Sequence, residues 1–344
     1  MQVKVLSTEE REEWDSYAQT SQEGTVYHLT AWKGIIENIF GHKTCYIYTK
    51  EHDKITGILP LVLMRSLLFG KFIISVPFFN YGGICTSDES ARKALLNHAI
   101  EIAKGVNAEF IEFRHSKNND LELPVKLSKV CMVLKLSSVE EVWGNFKSKL
   151  RNQIKRPEKA GMIARIGGLE ELDNFYFVFA RNMRDLGTPV YPKNFFRIIL
   201  EKFPEHSRIC TVLIKDKPVA SGFTLGFKDK LEIPWASSLK EYNIFSPNMM
   251  LYWNVLQYAC KNGYKEFDFG RSTIRGSTYR FKEQWGAKPL QLYWHYWKPN
   301  LSEADKLPEL NPHNPKFKLA IKTWQRLPLW LTNAIGPLIV KYLP

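Results

Sequence analysis

The chain states one pattern twice. Residues 109–116 read EFIEFRHS and residues 266–273 read EFDFGRST, and ITGILPL at 55–61 matches VASGFTL at 219–225. Each closing strand follows the same series: a hairpin, a further strand, a polar loop and a helix. In the first half the hairpin is Thr44–Tyr48 with Ile55–Met64, across the turn Glu51-His52-Asp53-Lys54. Phe72–Pro77 comes next, then Phe79-Asn80-Tyr81-Gly82-Gly83, a helix from Asp88 or Ser90 to about Lys104, and the strand Glu109–Arg114. In the second half the hairpin joins Ile209–Ile214 to Val219–Phe227 across Lys215-Asp216-Lys217-Pro218. Lys230–Ser238, a helix Pro247–Asn262 and the strand Glu266–Phe269 complete it. Hydrophobic alternation gives the strands and a 3.6-residue spacing gives the helices. A long repeat of this kind implies two similar domains rather than one large one, which 344 residues can supply. The expected fold is α/β (α+β): tandem domains over 1–145 and 170–300, each a mixed twisted sheet flanked by helices. A basic connecting segment, 146–169, joins them, and 301–344 forms a C-terminal extension.

Composition narrows the class. With 44% hydrophobic and 13% aromatic residues the chain can bury a core, which excludes a disordered protein. The net charge of +13 favours a phosphorylated or polyanionic partner or an anionic membrane surface. Cys45, Cys85, Cys131, Cys210 and Cys260 are scattered, without a CxxC pair or zinc spacing, and read as reduced thiols with no metal site. The amino terminus lacks the apolar core of a secretory signal, and no apolar run reaches the ~18 residues of a membrane-spanning helix. These features together predict a cytoplasmic protein.

Two stretches carry the chemistry. Glu266 to Gly286 reads EFDFGRSTIRGSTYRFKEQWG. Gly270 is expected to break the strand and deliver Arg271, Ser272 and Thr273 at its carboxyl end. Gly276 and Ser277 open a helix whose spacing puts Thr278, Tyr279 and Lys282 on one face. Polar side chains at strand ends are how α/β folds build ligand sites; a solvated turn is the alternative. The second stretch, 146–165, holds seven cations against the single acid Glu158. Beside a domain join it suits phosphate, although a cation run is most often a solvated helix face. Pro157 should end or kink its helix. A third stretch, RNMRDLGTPV at 181–190, leaves an aromatic helix as a polar turn.

The last 21 residues, WQRLPLWLTNAIGPLIVKYLP, are apolar but broken by Pro328, Gly336 and Pro337, with Lys318, Lys322, Arg326 and Lys341 around them. Two readings stand: a tail that caps the domain core, or one that lies on the anionic inner leaflet through Trp330, Leu331, Ile335 and Ile339.

Five segments together resemble the FemABX family, in which two GNAT acyltransferase modules lie in tandem. They are YHLTAWKGIIENIFGH (27–42), FNYGG (79–83), KLRNQIKRPEKAGM (149–162), RNMRDLGTPVYPKNFF (181–196) and FDFGRST with GSTYRFKEQWGAKP (267–273, 276–289). The likeness is nearest to FemAB-like proteins associated with XrtA/PEP-CTERM exopolysaccharide systems. It implies an N-acyltransferase or aminoacyltransferase that forms an amide on an amine of a cell-envelope precursor: peptidoglycan, exopolysaccharide or a lipid-linked sugar. The implied acyl donor is aminoacyl-tRNA or an acyl thioester, with no tightly bound cofactor. The implied acceptor is a phosphate-bearing small molecule or lipid-linked precursor. The chain departs from the family's patterns in two respects, and one is that it lacks the long charged antiparallel helical arm of some tRNA-using members. The other concerns acetyl-CoA-using relatives: the loop before the second central helix, Tyr242 to Asn248, has no glycine to bring backbone N–H groups onto a pyrophosphate.

Role assignments follow the chemistry of amide formation, which needs alignment, proton removal and oxyanion stabilisation. The catalytic candidates are Asp268, Arg271, Tyr279 and Lys282. Lys149, Arg151 and Arg156, with Arg271, are candidates for phosphate. Tyr81, Asn182, Arg184, Trp235, Ser237, Asn248 and Ser272 are expected to border substrate. His28 and His115 are candidate bases, against the commoner role of a packed histidine. One active site is expected, in the second domain. An RNA-binding protein and a non-catalytic envelope component are the rival classes.

Overall fold

The computed structural model describes residues 2–66, 70–299 and 315–343. The chain divides into two compact units, residues 1–130 with 290–309 and 342–344, and residues 131–289 with 310–341.

The first unit begins with β1 (Gln2–Val5), α1 (Arg11–Thr20) and α2 (Ala31–Phe40). Gly41 at φ 70° closes α2 in the left-handed conformation that glycine adopts at little cost. β2 (Lys43–Glu51) and β3 (Lys54–Ser66) form the expected hairpin. Its turn residues His52 and Asp53 both have positive φ, which matches the right-handed twist of the flanking strands. β4 (Gly70–Ile74), α3 (Glu89–Gly105), β5 (Ile111–His115) and β6 (Val125–Lys126) follow. Asp88 caps α3 by accepting from the Ser90 and Ala91 N–H groups.

The second unit repeats the order after β7 (Lys129–Lys135), α4 (Val139–Asn145) and α5 (Ser148–Lys159). β8 (Met162–Gly167), α6 (Leu172–Leu186) and α7 (Lys193–Lys202) lead to the hairpin β9 (Ser207–Ile214) and β10 (Lys217–Phe227). Lys215 and Asp216 in its turn again have positive φ. β11 (Lys230–Ser238), α8 (Pro247–Lys261), β12 (Glu266–Thr273), α9 (Ser277–Glu283) and β13 (Lys288–Gln291) complete the core. β14 (Tyr293–Trp297) and the helices α10 (Pro315–Arg326) and α11 (Leu329–Val340) end the described chain.

Each half contributes a seven-stranded mixed sheet, ordered β1-β2-β3-β4-β5-β14-β6 and β13-β7-β12-β11-β10-β9-β8. The hairpin strands are antiparallel, whereas β4 with β5 and β11 with β12 are parallel pairs. The core of the second unit is aromatic, with Phe175, Phe179, Phe196, Phe223 and Trp235 in mutual ring contact.

The boundaries differ from the expected ones in three ways. The first unit ends at Val130 rather than 145, so α4 and α5 belong to the second. The cation run is therefore not a connector. It is a regular helix whose buried Leu150, Ile154 and Pro157 face inward. Residues 293–297, expected in the second domain, return to the first sheet as β14, paired antiparallel with β5 from Tyr293↔His115 to Trp297↔Ile111. Within the extension, 301–314 lie outside the described residues. α10 and α11 pack on α6 of the second unit, where Gly336 abuts Val190 and Gly187 abuts Ile321.

Candidate active site

The parallel pair of the second unit forms a fork. β11 and β12 pair at Lys230↔Glu266, Leu231↔Phe267 and Glu232↔Asp268, and pairing stops there although both strands continue. The cause lies in β11. Phe223 pairs with Trp235 and Leu225 with Glu232, so Ile233 and Pro234 together stand opposite Thr224 alone. This is a bulge, which bends its strand and disrupts the local ladder, and Pro234 adds a position with no N–H to donate. Gly270, at φ 79°, does not break β12 as expected. Only its φ is unusual, and the strand runs on to Thr273.

Two acids meet at the base of this fork. Asp268 is fully buried and Glu232 nearly so. Burial and the neighbouring Asp268 carboxylate push the Glu232 carboxyl well above the usual range. Asp268 Oδ1 accepts from the Gly270 N–H at 2.7 Å. Lys282 reaches back from α9, donating from Nζ to the carbonyls of Gly270 at 2.9 Å and Arg271 at 3.0 Å. Only 7% exposed, its ammonium is lowered to about 8, chiefly by burial, with Asp268 opposing the shift. Cys131 on β7 is buried in the same neighbourhood, and its thiol is pushed well up by burial and then by Asp268, so it stays an unreactive thiol. Displaced proton affinities gathered at a strand end make this fork the candidate site.

The prongs carry further polar groups. On the β11 side Asn182 donates to Ser237 Oγ at 3.1 Å, and Asn248 donates to Ser238 Oγ at 3.0 Å. On the β12 side Arg271 is exposed, Tyr279 is half-buried, and Ser272 Oγ is buried without a hydrogen-bond partner among the described residues. Asp268, Arg271, Ser272 and Lys282 thus gather on β12 and α9, with Tyr279 on the same helix.

Other expected site residues lie elsewhere. Trp235 borders no open space: it is buried against Tyr191, Phe195, Phe196 and Phe223, because its ring points into the sheet–helix core. Arg184 is engaged by its neighbour Asp185 at 2.6 Å. Lys149, Arg151 and Arg156 lie along α5, with Lys149 and Arg156 exposed and Arg151 half-buried. Tyr81 lies in the first unit, buried against Tyr27. His28 and His115 are also there, and both are committed to backbone. His28 accepts the Thr25 N–H at Nδ1 and, through Nε2, donates to the Gly83 carbonyl at 2.9 Å; His115 Nε2 accepts the Ile84 N–H at 3.0 Å. Glu232 is absent from the expected set. An acid between Leu231 and Ile233 on an apolar strand was the available signal for Glu232.

The first unit builds the same parallel pair and then fills the fork. β4 and β5 pair at Ile73↔Ile111 and Ile74↔Glu112. Beyond that point the loop 76–83 folds back, and the Gly82 and Gly83 N–H groups both donate to the Arg114 carbonyl, at 3.0 and 2.8 Å. Arg114 holds the loop by donating to the Phe79 carbonyl at 2.7 Å, and it also pairs with Glu112 at 2.6 Å. Trp294 donates to the Asn80 carbonyl at 3.0 Å.

Residues 144–283 match the family model described as an acetyltransferase (GNAT) domain. No curated protein matches the chain. Among solved structures, FemX is similar over 86% of this chain and 97% of its own, at 14% identity and a TM-score of 0.67. L-PGS from Bacillus licheniformis covers 92% of this chain and 97% of its own, at 11% identity and 0.56. A tandem GNAT protein from the clavulanic acid biosynthesis pathway covers 88% and 99%, at 10% and 0.54. Residues 144–283 therefore resemble a GNAT acetyltransferase domain, and the chain shares the fold of FemX and of the tandem GNAT protein.

Proposed function

We propose that the protein is an N-acyltransferase of the FemX kind, joining an acyl or aminoacyl group to an amine of a cell-envelope precursor at the β11/β12 fork. The observation that carries this reading is the cluster Glu232, Asp268 and Lys282 where the two strands part. In amide formation the acceptor nitrogen attacks the acyl carbonyl, sheds a proton, and the thiolate or alkoxide of the donor departs. Glu232, its proton affinity raised by burial and by Asp268, takes the proton from nitrogen as general base. Asp268 sets that affinity and is itself held by the Gly270 N–H. Lys282 fixes the β12 carbonyls and places positive charge beside the developing oxyanion. Arg271, exposed at the end of the fork, receives a phosphate of donor or acceptor, for which a planar guanidinium is suited.

Aminoacyl-tRNA and an acyl thioester are the two donor classes in this reading. The segment before α8 favours the former. It forms a short 3-10 helix, Lys240–Phe245, and α8 then starts with Pro247 and no side-chain cap, so it offers no glycine loop for a pyrophosphate. The α10–α11 tail adds peripheral contact with anionic lipid. Trp330 is 71% and Leu338 60% exposed, whereas Thr332, Gly336 and Val340 face inward, so the tail caps the unit and also shows an apolar rim. No helix among the described residues is long and apolar enough to cross a membrane.

The test uses the full chain with radiolabelled acetyl-CoA or radiolabelled aminoacyl-tRNA, and amine-bearing peptidoglycan and lipid-linked precursors, read by mass spectrometry of the acceptor. A mass gain on nitrogen that is lost in Glu232→Gln supports the reading. No transfer from either donor to any of these acceptors overturns it.

A further inference from the structure

A cavity lies in the second unit, lined by none of the fork's acids. It encloses about 540 Å³ and is built by β7, α4, the start of α5, and α9. That volume lies within the range of small-molecule sites. The floor is apolar, from Leu134, Val142, Phe146, Leu150 and Trp285. The rim is basic, from Lys135, Lys147, Lys149 and Arg280, with Glu283 as the opposing acid. All four cations are exposed, and none is ion-paired among the described residues.

Two further features point the same way. α5 begins here, and its N-cap residue Lys147 offers no side-chain acceptor. The first intrahelical bond runs from the Arg151 N–H to the Lys147 carbonyl, so the N–H groups before it are left for an anion. Trp285, 1% exposed and lining the cavity, has an indole N–H that is buried without an acceptor among the described residues. Buried donors are almost always satisfied, and a ligand oxygen at this wall would satisfy it.

We propose that this cavity binds an organophosphate: an apolar or flat body seated on Phe146 and Trp285, and a phosphate held by Lys147, Lys149, Arg280 and the start of α5. The phosphate ester can come from a soluble nucleotide or from a lipid headgroup, and the chemistry at the wall is the same. The site stands whether or not the fork transfers acyl groups, because its readout is binding.

The experiment is calorimetric titration of the full chain with ADP and, separately, with monomeric dihexanoyl phosphatidylglycerol, using adenosine and inorganic pyrophosphate as the body-only and anion-only controls. At least one of the two esters binds at least tenfold more tightly than either control. Which ester does so identifies the source. The double substitution Lys147→Ala and Arg280→Ala, on exposed side chains, weakens that binding at least tenfold with no change in melting temperature. Trp285→Phe, which keeps an aromatic floor and removes the donor, weakens it several-fold. Failure of both esters to bind, or unchanged affinity in the double variant, overturns the proposal.

Discussion

Lys282→Met separates what this lysine does for stability from what it does for chemistry. In the folded chain its ammonium is lowered to about 8 from an ordinary 10.5. Below pH 8 the side chain is protonated in both folded and unfolded states and contributes no pH dependence. Between pH 8 and 10.5 the unfolded chain holds a proton that the folded one has released, so stability rises with pH; above 10.5 both forms are neutral. A window of about 2.5 pH units at about 1.36 kcal/mol per unit gives about 3.4 kcal/mol. That is the cost of keeping the charge buried at neutral pH. Removing the ammonium recovers it and forfeits two charge-assisted hydrogen bonds, to Gly270 and Arg271, each of which contributes about 1.5–3 kcal/mol. The net change at pH 7 is accordingly small, while transfer activity is lost. Urea unfolding of the wild type and Lys282→Met from pH 7 to 10.5 tests this. The difference in unfolding free energy should be flat to pH 8 and then move in favour of the wild type by about 3 kcal/mol. Parallel stability curves across that range would refute the buried-ammonium argument.

Further outcomes follow from the same structure. Arg271→Ala, on an exposed side chain, abolishes transfer and leaves the melting temperature within a few degrees; a large fall in melting temperature would make Arg271 structural. His295, lowered to about 4 by burial, is neutral in the folded chain where the unfolded chain takes up a proton. Its contribution is full above pH 6.5 and lost as pH falls from 6.5 to 4, so acid unfolding monitored by tryptophan fluorescence is shallower in His295→Asn. Gly336→Leu places a side chain where a Cβ alone would lie 2.9 Å from Val190. It therefore lowers the melting temperature and makes α10–α11 susceptible to limited proteolysis, whereas Leu338→Ala, on the exposed side, does neither.

The repeat and most of the elements were legible because each hairpin carries its own local signals. His52-Asp53 and Lys215-Asp216 sit in turns with positive φ at both positions, and alternation on either side fixes the strands. β14 was not legible. Its partner is β5, and the register Tyr293↔His115 joins residues far apart in sequence, a pairing that no local pattern encodes. The cation run misled for a related reason. Charge is visible in sequence, but the buried Leu150, Ile154 and Pro157 stripe that anchors α5 to the second unit is what decides the domain boundary. At the site, Asp268 and Lys282 could be chosen from the strand-to-helix stretch. Glu232 becomes a partner only through the parallel register Glu232↔Asp268. Trp235 failed the opposite way: it shares a regular stretch of strand with Ser237, but its ring is taken up by Phe195, Phe196 and Phe223.

In the proposed reading the fork of the second unit carries the chemistry, while that of the first is closed by its own loop. Paired substitutions test it at one position in each fork: Glu232→Gln beside Asp268, and Glu112→Gln, whose carboxylate is engaged by Arg114 and Tyr296. The measurement is the rate of labelled acyl transfer to the acceptor amine by each full-length variant. The expected result is a loss of at least a hundredfold in Glu232→Gln and a wild-type rate per folded molecule in Glu112→Gln. Wild-type transfer in Glu232→Gln, or its loss in folded Glu112→Gln, would contradict it.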